Sequence, residues 1–339
     1  MAHPLTDSQI QTLFPTQVES NSDTLKAHLA AVRFTQNANP ETHFELSAPA
    51  AFQWIPPAPA EHPPLVTLKS PTTTARIQVF HNTVVREIAP ADWTQIFLQE
   101  RGHQVIHCRE QVTPLGLMSD VLSATQTPHG SVFARTNTAK AGTHLYTLTC
   151  EAPDNEFPEL AQSFFITLGT FHLLHPTKQA LAEQLRTFSY LYPAILGFAY
   201  PESWGLAEEV QNSAECLVRL ADIQGDRALG NITVHALAGA SPRRLFAQQT
   251  ELWAAHQIEF DSVPDLTPAP PTKLFQTMET AHLSGRGPRG PISAAVCVLQ
   301  NEVGHLLIAL DGPSKAHSPF ASAVHRRAFE LVRDTAYLI

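Results

Sequence analysis

"ASPRRLFAQQTELWAAHQIEF", Ala240 to Phe260, has a counterpart far upstream in "APADWTQIFLQERGHQVI", Ala89 to Ile106. Each begins with a small residue and a proline, runs through an amphipathic segment carrying one tryptophan, and leaves through His-Gln and a β-branched residue. Proline suits the first turn of a helix, where its missing N–H would be unsatisfied anyway, and Ser241 is placed to cap the second copy. Trp93, Ile96 and Phe97 give the first copy an apolar stripe to set against a sheet.

The match extends on both sides. Pro90 and Pro242 are 152 residues apart, and Trp54 and Trp204 are 150 apart. A β-branched run precedes each proline, Arg76–Asn82 in one half and Asn231–Leu237 in the other. Two further runs follow in each half: Ser131–Thr136 and His144–Cys150, then Ile292–Leu299 and His305–Asp311. Each half closes on apolar residues at helical spacing, from Phe157 to Phe171 and from Phe320 to Val332. The second half is nine residues longer between proline and last strand, near the proline-dense "SVPDLTPAPPTK", Ser262 to Lys273, which reads as a surface loop. Six elements in one order predict a duplication. Consecutive strands on short connections, with helices before and after, predict α+β: two repeated domains, each a mainly antiparallel sheet packed with helices.

The expected boundaries are a helical N-terminal extension over 1–39, a first domain over 40–176, a helical linker over 177–187 and a second domain over 188–339. The extension rests on "SDTLKAHLAAVRF", Ser22 to Phe34, with Leu25, Leu29 and Val32 on one face, and the linker on "PTKQALAEQLRTF", Pro176 to Phe188. The central strands of the second half are apolar at nearly every position, the pattern of a sheet covered on both faces. Those of the first half carry Arg135 and several threonines, which predicts one more open, polar face and a lower burial for Arg135 than for Val296.

Composition narrows the function. A chain of 339 residues with 43% hydrophobic and 16% charged residues has enough apolar material for packed cores. A net charge of −9 excludes a broad electrostatic grip on nucleic acid. The start has neither a basic segment nor a long apolar run, and nowhere do about 18 apolar residues stand together, so the expectation is a soluble, cytoplasmic protein. Cys108, Cys150, Cys216 and Cys297 are scattered and read as free thiols.

The order of elements, the closing helices and the entry "YPESWGL", Tyr200 to Leu206, resemble the PsbP-like (Mog/PsbP) α/β/α sandwich, a family whose bacterial relatives include Eag-type chaperones of type VI secretion effectors. The first copy, "FQWIPP" at Phe52 to Pro57, departs from that entry by placing its prolines after Trp54. The resemblance implies a non-enzymatic binder and carries over no catalytic residue and no cofactor.

The remaining motifs are weak. "GRGPRG", Gly285 to Gly290, fits a dinucleotide fingerprint in letters only, because prolines interrupt it and a strand follows where a helix is required. Its Arg286 and Arg289, with the pair Arg243–Arg244, are the candidate contacts for an acidic partner. His103 and His107 fall on a predicted strand, where four residues span roughly 13 Å, too far for one metal ion. No nucleophile elbow or HExxH motif is present. The expected function is a protein-binding module, a chaperone or adaptor for an apolar segment of a secreted effector; the alternatives are an enzyme with a site between domains and a structural subunit of an assembly.

Overall fold

The computed structural model describes residues 5–18, 27–35, 39–56, 62–113, 116–191, 194–212, 215–225, 227–237, 239–262 and 265–339. The chain forms two compact units. Unit 1 holds Met1–Val85 and Pro90–Ala182, and unit 2 holds Arg86–Ala89 and Glu183–Ile339.

Unit 1 begins with helix α1 (Asp7–Leu13), which the Thr6 hydroxyl caps by accepting from Gln9 N while the Gln9 side chain accepts from Thr6 N. A small sheet follows from β1 (Leu29–Phe34) and β2 (Phe44–Pro49). The main sheet is built from β3 (Gln53–Ile55), β4 (Val66–Lys69), β5 (Arg76–Thr83), β6 (Gln104–Thr113), β7 (Gly116–Thr127), β8 (Gly130–Ala141) and β9 (His144–Pro153), in the order β3-β4-β5-β9-β8-β7-β6. Helix α2 (Pro90–Glu100) lies against β7 and β8, and α3 (Phe157–Thr170) against β2 and β9. Strand β10 (His172–Leu173) then returns to β2. Phe157, Ala161, Phe164 and Leu168 of α3, three or four residues apart and almost fully buried, pack with Ile77, Val79, Leu148 and Cys150.

Unit 2 has its own small sheet, β11 (Leu185–Tyr190) with β12 (Leu196–Pro201). Its main sheet contains β13 (Trp204–Gln211), β14 (Glu215–Gln224), β15 (Arg227–Leu237), β16 (Glu259–Phe260), β17 (Thr267–Ala269), β18 (Thr277–Gly287), β19 (Gly290–Gln300) and β20 (His305–Pro313). The order is β13-β14-β15-β20-β19-β18-β16, with β17 also paired to β18. Helix α4 (Pro242–Ala255) follows β15, capped by Ser241, which accepts from Arg244 N at 3.4 Å. Helix α5 (Pro319–Thr335) packs on β20 and β12, and β21 (Tyr337–Leu338) returns to β12. The strand pairings described are all antiparallel, so the class is α+β.

The turns that join β7 to β8 and β18 to β19 are built alike. Thr127 faces Gly130 across Pro128–His129, and Gly287 faces Gly290 across Pro288–Arg289. Gly130 and Gly290 have φ of 121° and 116°, a backbone that side chains resist. The glycines of "GRGPRG" therefore serve a strand turn.

Two segments expected to be helices hold strands at their C-terminal ends. In Ser22–Phe34, residues 22–26 lie outside the described ones, Ala27 is helical, and Leu29–Phe34 is β1. In Pro176–Phe188 there is no helix, and Leu185 already opens β11, so the 177–187 helical linker is corrected to irregular backbone running into a strand. The cause is the same in both places. Phe34 stacks on Phe44 and Phe188 on Phe198, each with centroids 5.2 Å apart, and these cross-strand pairs outweigh the weak helical propensity of Leu-Ala-rich sequence.

The expected difference in sheet burial also fails. Arg135 and Val296 are each 1% exposed. Unit 1 does not leave Arg135 on an open face: the guanidinium is paired to Asp120 beneath Phe14.

Candidate partner-binding site

Among the described residues, unit 2 has two cavities of similar size, each lined by both apolar and polar side chains. One, the Asp311 cavity of about 580 Å³, lies where the β18–β19 turn and the C-terminal end of α4 meet. Arg219, Asn231, His256, Arg289, Asp311 and His317 bring its polar groups. Asp311 terminates the apolar run of β20, and its carboxylate accepts from Trp253 Nε1 at 3.0 Å and Asn231 Nδ2 at 2.9 Å. Burial pushes this carboxyl up, and those two hydrogen bonds offset only part of the effect. Arg219 Nη1 donates to His256 Nε2 at 2.7 Å and Nη2 pairs with Glu208 at 3.2 Å, while its Nε is buried with no acceptor. Arg289 donates to Ala228 O.

The other, the Val303 cavity, is about 530 Å³. Leu196, Ala236, Leu237, Val303 and Leu338 are among its aliphatic lining, and Gln300, Asn301, Glu302 and His305 are its polar lining. Val303, one of the lining residues, is 52% exposed, so part of the aliphatic lining faces solvent. Burial pushes the Cys216 thiol up to about 11, with the nearby Glu209 and Glu215 adding to the effect, so it is a packing group and not a nucleophile.

The sequence-selected arginines part company. Arg289 lines the Asp311 cavity. Arg286 is exposed on β18, and Arg243 and Arg244 are exposed in the first turn of α4, a helix of 14 residues and therefore roughly 20 Å from the His256 end. Sequence reading missed Arg219, His256 and Asp311. Only Asp311 left a signal, as a lone acid closing an otherwise apolar strand. His107 lies in β6, and His103 just before it has its Nδ1 3.2 Å from Ser123 Oγ. Among the described residues no group of three His, Cys, Asp or Glu is placed to hold a metal, and no helix is long and apolar enough to cross a membrane.

No protein-family model matches the chain, and no curated protein matches it in sequence. Solved structures similar to it include cyanobacterial PsbP from Synechocystis sp. PCC 6803, 9% identical over 42% of this chain and 92% of that one, with a TM-score of 0.37. The T6SS immunity protein TplEi from Pseudomonas aeruginosa is 12% identical over 92% of this chain and 98% of its own, with a TM-score of 0.24. The Tle4–Tli4 complex gives 12%, 91%, 99% and 0.22. These likenesses are loose.

Proposed function

We propose that this protein binds an apolar segment of another polypeptide and does not transform it. The Val303 cavity of unit 2 supports this reading, because aliphatic side chains line part of it and Val303 is half exposed, so that this surface would leave water only when a partner covers it. Burial of such surface contributes about 25 cal/mol per Å². A chaperone or adaptor for a secreted effector is the specific role that the "YPESWGL" entry implies, with the two units as copies of one PsbP-like sandwich. Their matching strand orders and matching β7–β8 and β18–β19 turns support the duplication.

The test is co-expression with a candidate effector, reading how much effector stays soluble and is retained by the tagged chain. Val303→Lys places a charge on the cavity rim at an exposed position and is expected to lower retention about tenfold with no loss of melting temperature. Retention unchanged by Val303→Lys, or an effector equally soluble without this chain, would remove the reading. The second reading, an enzyme, has the Asp311 cavity as its support among the described residues: His256 and Asp311 line it together, but Asp311 is held by neutral donors and not by His256.

A further inference from the structure

The Asp311 cavity of unit 2 has a buried acceptor side and an exposed donor side. On the buried side Asn231 and Asp311 face each other across β15 and β20, and Asn231 Nδ2 donates to Asp311 Oδ2 at 2.9 Å. Asn231 is half-buried, and its Oδ1 accepts from no described residue. On the exposed side stand Arg289, in the β18–β19 turn, and His317, just before α5. Arg289 Nη1 donates to Ala228 O, and its other N–H groups have no acceptor among the described residues. Ala228 lies three residues before Asn231 on β15, so the Arg289 head is roughly 10 Å along the strand from the Asn231–Asp311 pair. Leu229, Ile292 and Pro313 add apolar wall.

The charges sort the same way. Arg219 also lines the cavity, but Glu208 answers it at 3.2 Å and its Nη1 is given to His256. Asp311 is the only acid in the lining among the described residues, and it is buried. Arg289 has no carboxylate partner among the described residues, and His317 adds charge when it protonates. Ser318 and Ala321 bring the start of α5, a helix of 17 residues, into the same lining, and the Ser318 side chain caps none of its first N–H groups. The positive end of that helix reinforces the arginine. An anion is therefore favoured on the exposed side and a hydrogen-bond donor on the buried one.

We propose that this cavity binds a phosphate monoester with a hydroxylated body: the phosphate accepts from Arg289 and His317 on the exposed side, and hydroxyl groups of the body donate to Asn231 Oδ1 beside Asp311. A phosphate suits the site better than a carboxylate. Its donors come from two separate elements, the β18–β19 turn and the start of α5, and three oxygens can meet both, whereas the paired donors of Arg219 that would grip a planar carboxylate are already engaged. The volume of about 580 Å³ and the span of roughly 10 Å suit a sugar phosphate or a nucleoside monophosphate. The inference concerns a small ligand and is independent of the Val303 cavity and of any polypeptide bound there.

The test is calorimetric titration of the full chain with glucose 6-phosphate and with adenosine monophosphate, against glucose, adenosine and inorganic phosphate. A monoester is expected to bind about tenfold or more tighter than its neutral parent and than inorganic phosphate. Binding of glucose 6-phosphate alone assigns a sugar phosphate, binding of adenosine monophosphate alone a nucleotide, and binding of both the shared chemistry. Arg289→Gln changes an exposed turn residue, so it is expected to fold, as its melting curve will show, and to bind the monoester about tenfold more weakly. Arg286→Gln removes the same charge from the same hairpin outside the cavity and is expected to bind as the wild type does. Val303→Lys, which tests the polypeptide reading, is also expected to leave monoester binding unchanged. No binding of either monoester, equal binding of monoester and inorganic phosphate, or equal losses in Arg286→Gln and Arg289→Gln would overturn the assignment.

Discussion

Asp120 in unit 1 and Asp311 in unit 2 are both buried on a main-sheet strand, and the two units hold them by opposite means. Asp120 is surrounded by charge: two guanidiniums close on it, and aromatic rings close on the guanidiniums. Asp311 is surrounded by neutral donors, an indole and an amide, and burial pushes its carboxyl up. A buried charge needs a partner charge or it gives up its ionisation. The two sheets show both solutions at comparable depth.

The largest effect expected from this difference is at Asp120. Asp120→Ala leaves Arg109 and Arg135 facing each other and is expected to destabilise unit 1 by about 3–5 kcal/mol. Asp311→Asn keeps an acceptor for Trp253, and Asn231 can turn its amide to meet the new one, so at neutral pH it is expected to be neutral or stabilising. Urea unfolding of both variants checks the pair; a milder loss for Asp120→Ala than for Asp311→Asn would break the contrast.

The matched tryptophans come next. Trp204 is fully buried and meets His325 edge-on at 5.2 Å between centroids, whereas Trp54 is 60% exposed on an edge strand. Trp204→Ala is expected to cost about 3 kcal/mol and Trp54→Ala less than about 0.5 kcal/mol. Melting curves of the two variants decide it, and similar losses would mean that Trp54 is covered in solution.

These tryptophans also show how far the sequence reaches. Their spacing was legible, and so were β5, β8, β9, β15, β19 and β20 and the four proline-led or phenylalanine-led helices, because alternation and helical spacing are local signals; β7, β14 and β18 were not read. Burial of Trp204 against exposure of Trp54 was legible only as a departure, the prolines after Trp54. The strands β1 and β11 were not legible, since "LAAVRF" and "LRTFSY" carry no strong alternation and become strands through Phe44 and Phe198. The Arg135–Asp120 pair was read backwards, as a sign of an open face. A lone arginine in a strand says nothing of a carboxylate fifteen residues earlier on the neighbouring strand.

The pH dependence of unit 2 sharpens the comparison further. The folded-state value of Asp311 is raised, so the stability it contributes is present below the unfolded carboxylate value near about 3.9 and is lost as pH rises through the folded one. Asp222 runs the other way. Burial alone would raise it, but hydrogen bonds from His325 and Arg86 and the Arg86 charge prevail and lower it, so its contribution is present above about 3.9 and lost as pH falls through the folded value. Unfolding free energies against pH are expected to show Asp311→Asn gaining on the wild type as pH rises, and Asp222→Asn losing on it. Parallel curves would show that neither carboxyl titrates differently on folding.

The smallest effect belongs to a histidine pair in unit 1. His81 Nε2 and His144 Nδ1 are 2.8 Å apart, and His144 Nε2 is 2.8 Å from Glu41 Oε2. If His144 donates to Glu41, its Nδ1 is an acceptor and His81 is the donor, an arrangement with both rings neutral. Burial first and His144 second lower the His81 value, and Glu41 only partly opposes them. A lowered histidine contributes stability that is present above its unfolded value near about 6.5 and is lost as pH falls through the folded one. His81→Gln keeps an amide donor toward His144 Nδ1 and cannot take up a proton. It is expected to match the wild type within about 0.5 kcal/mol at pH 8 and to lose less on acidification below about pH 6.5. Proton NMR of the His81 ring gives the second reading: its midpoint should fall below that of an exposed histidine. A wild-type and variant pair with equal acid slopes would show that Glu41, and not burial, governs this pair.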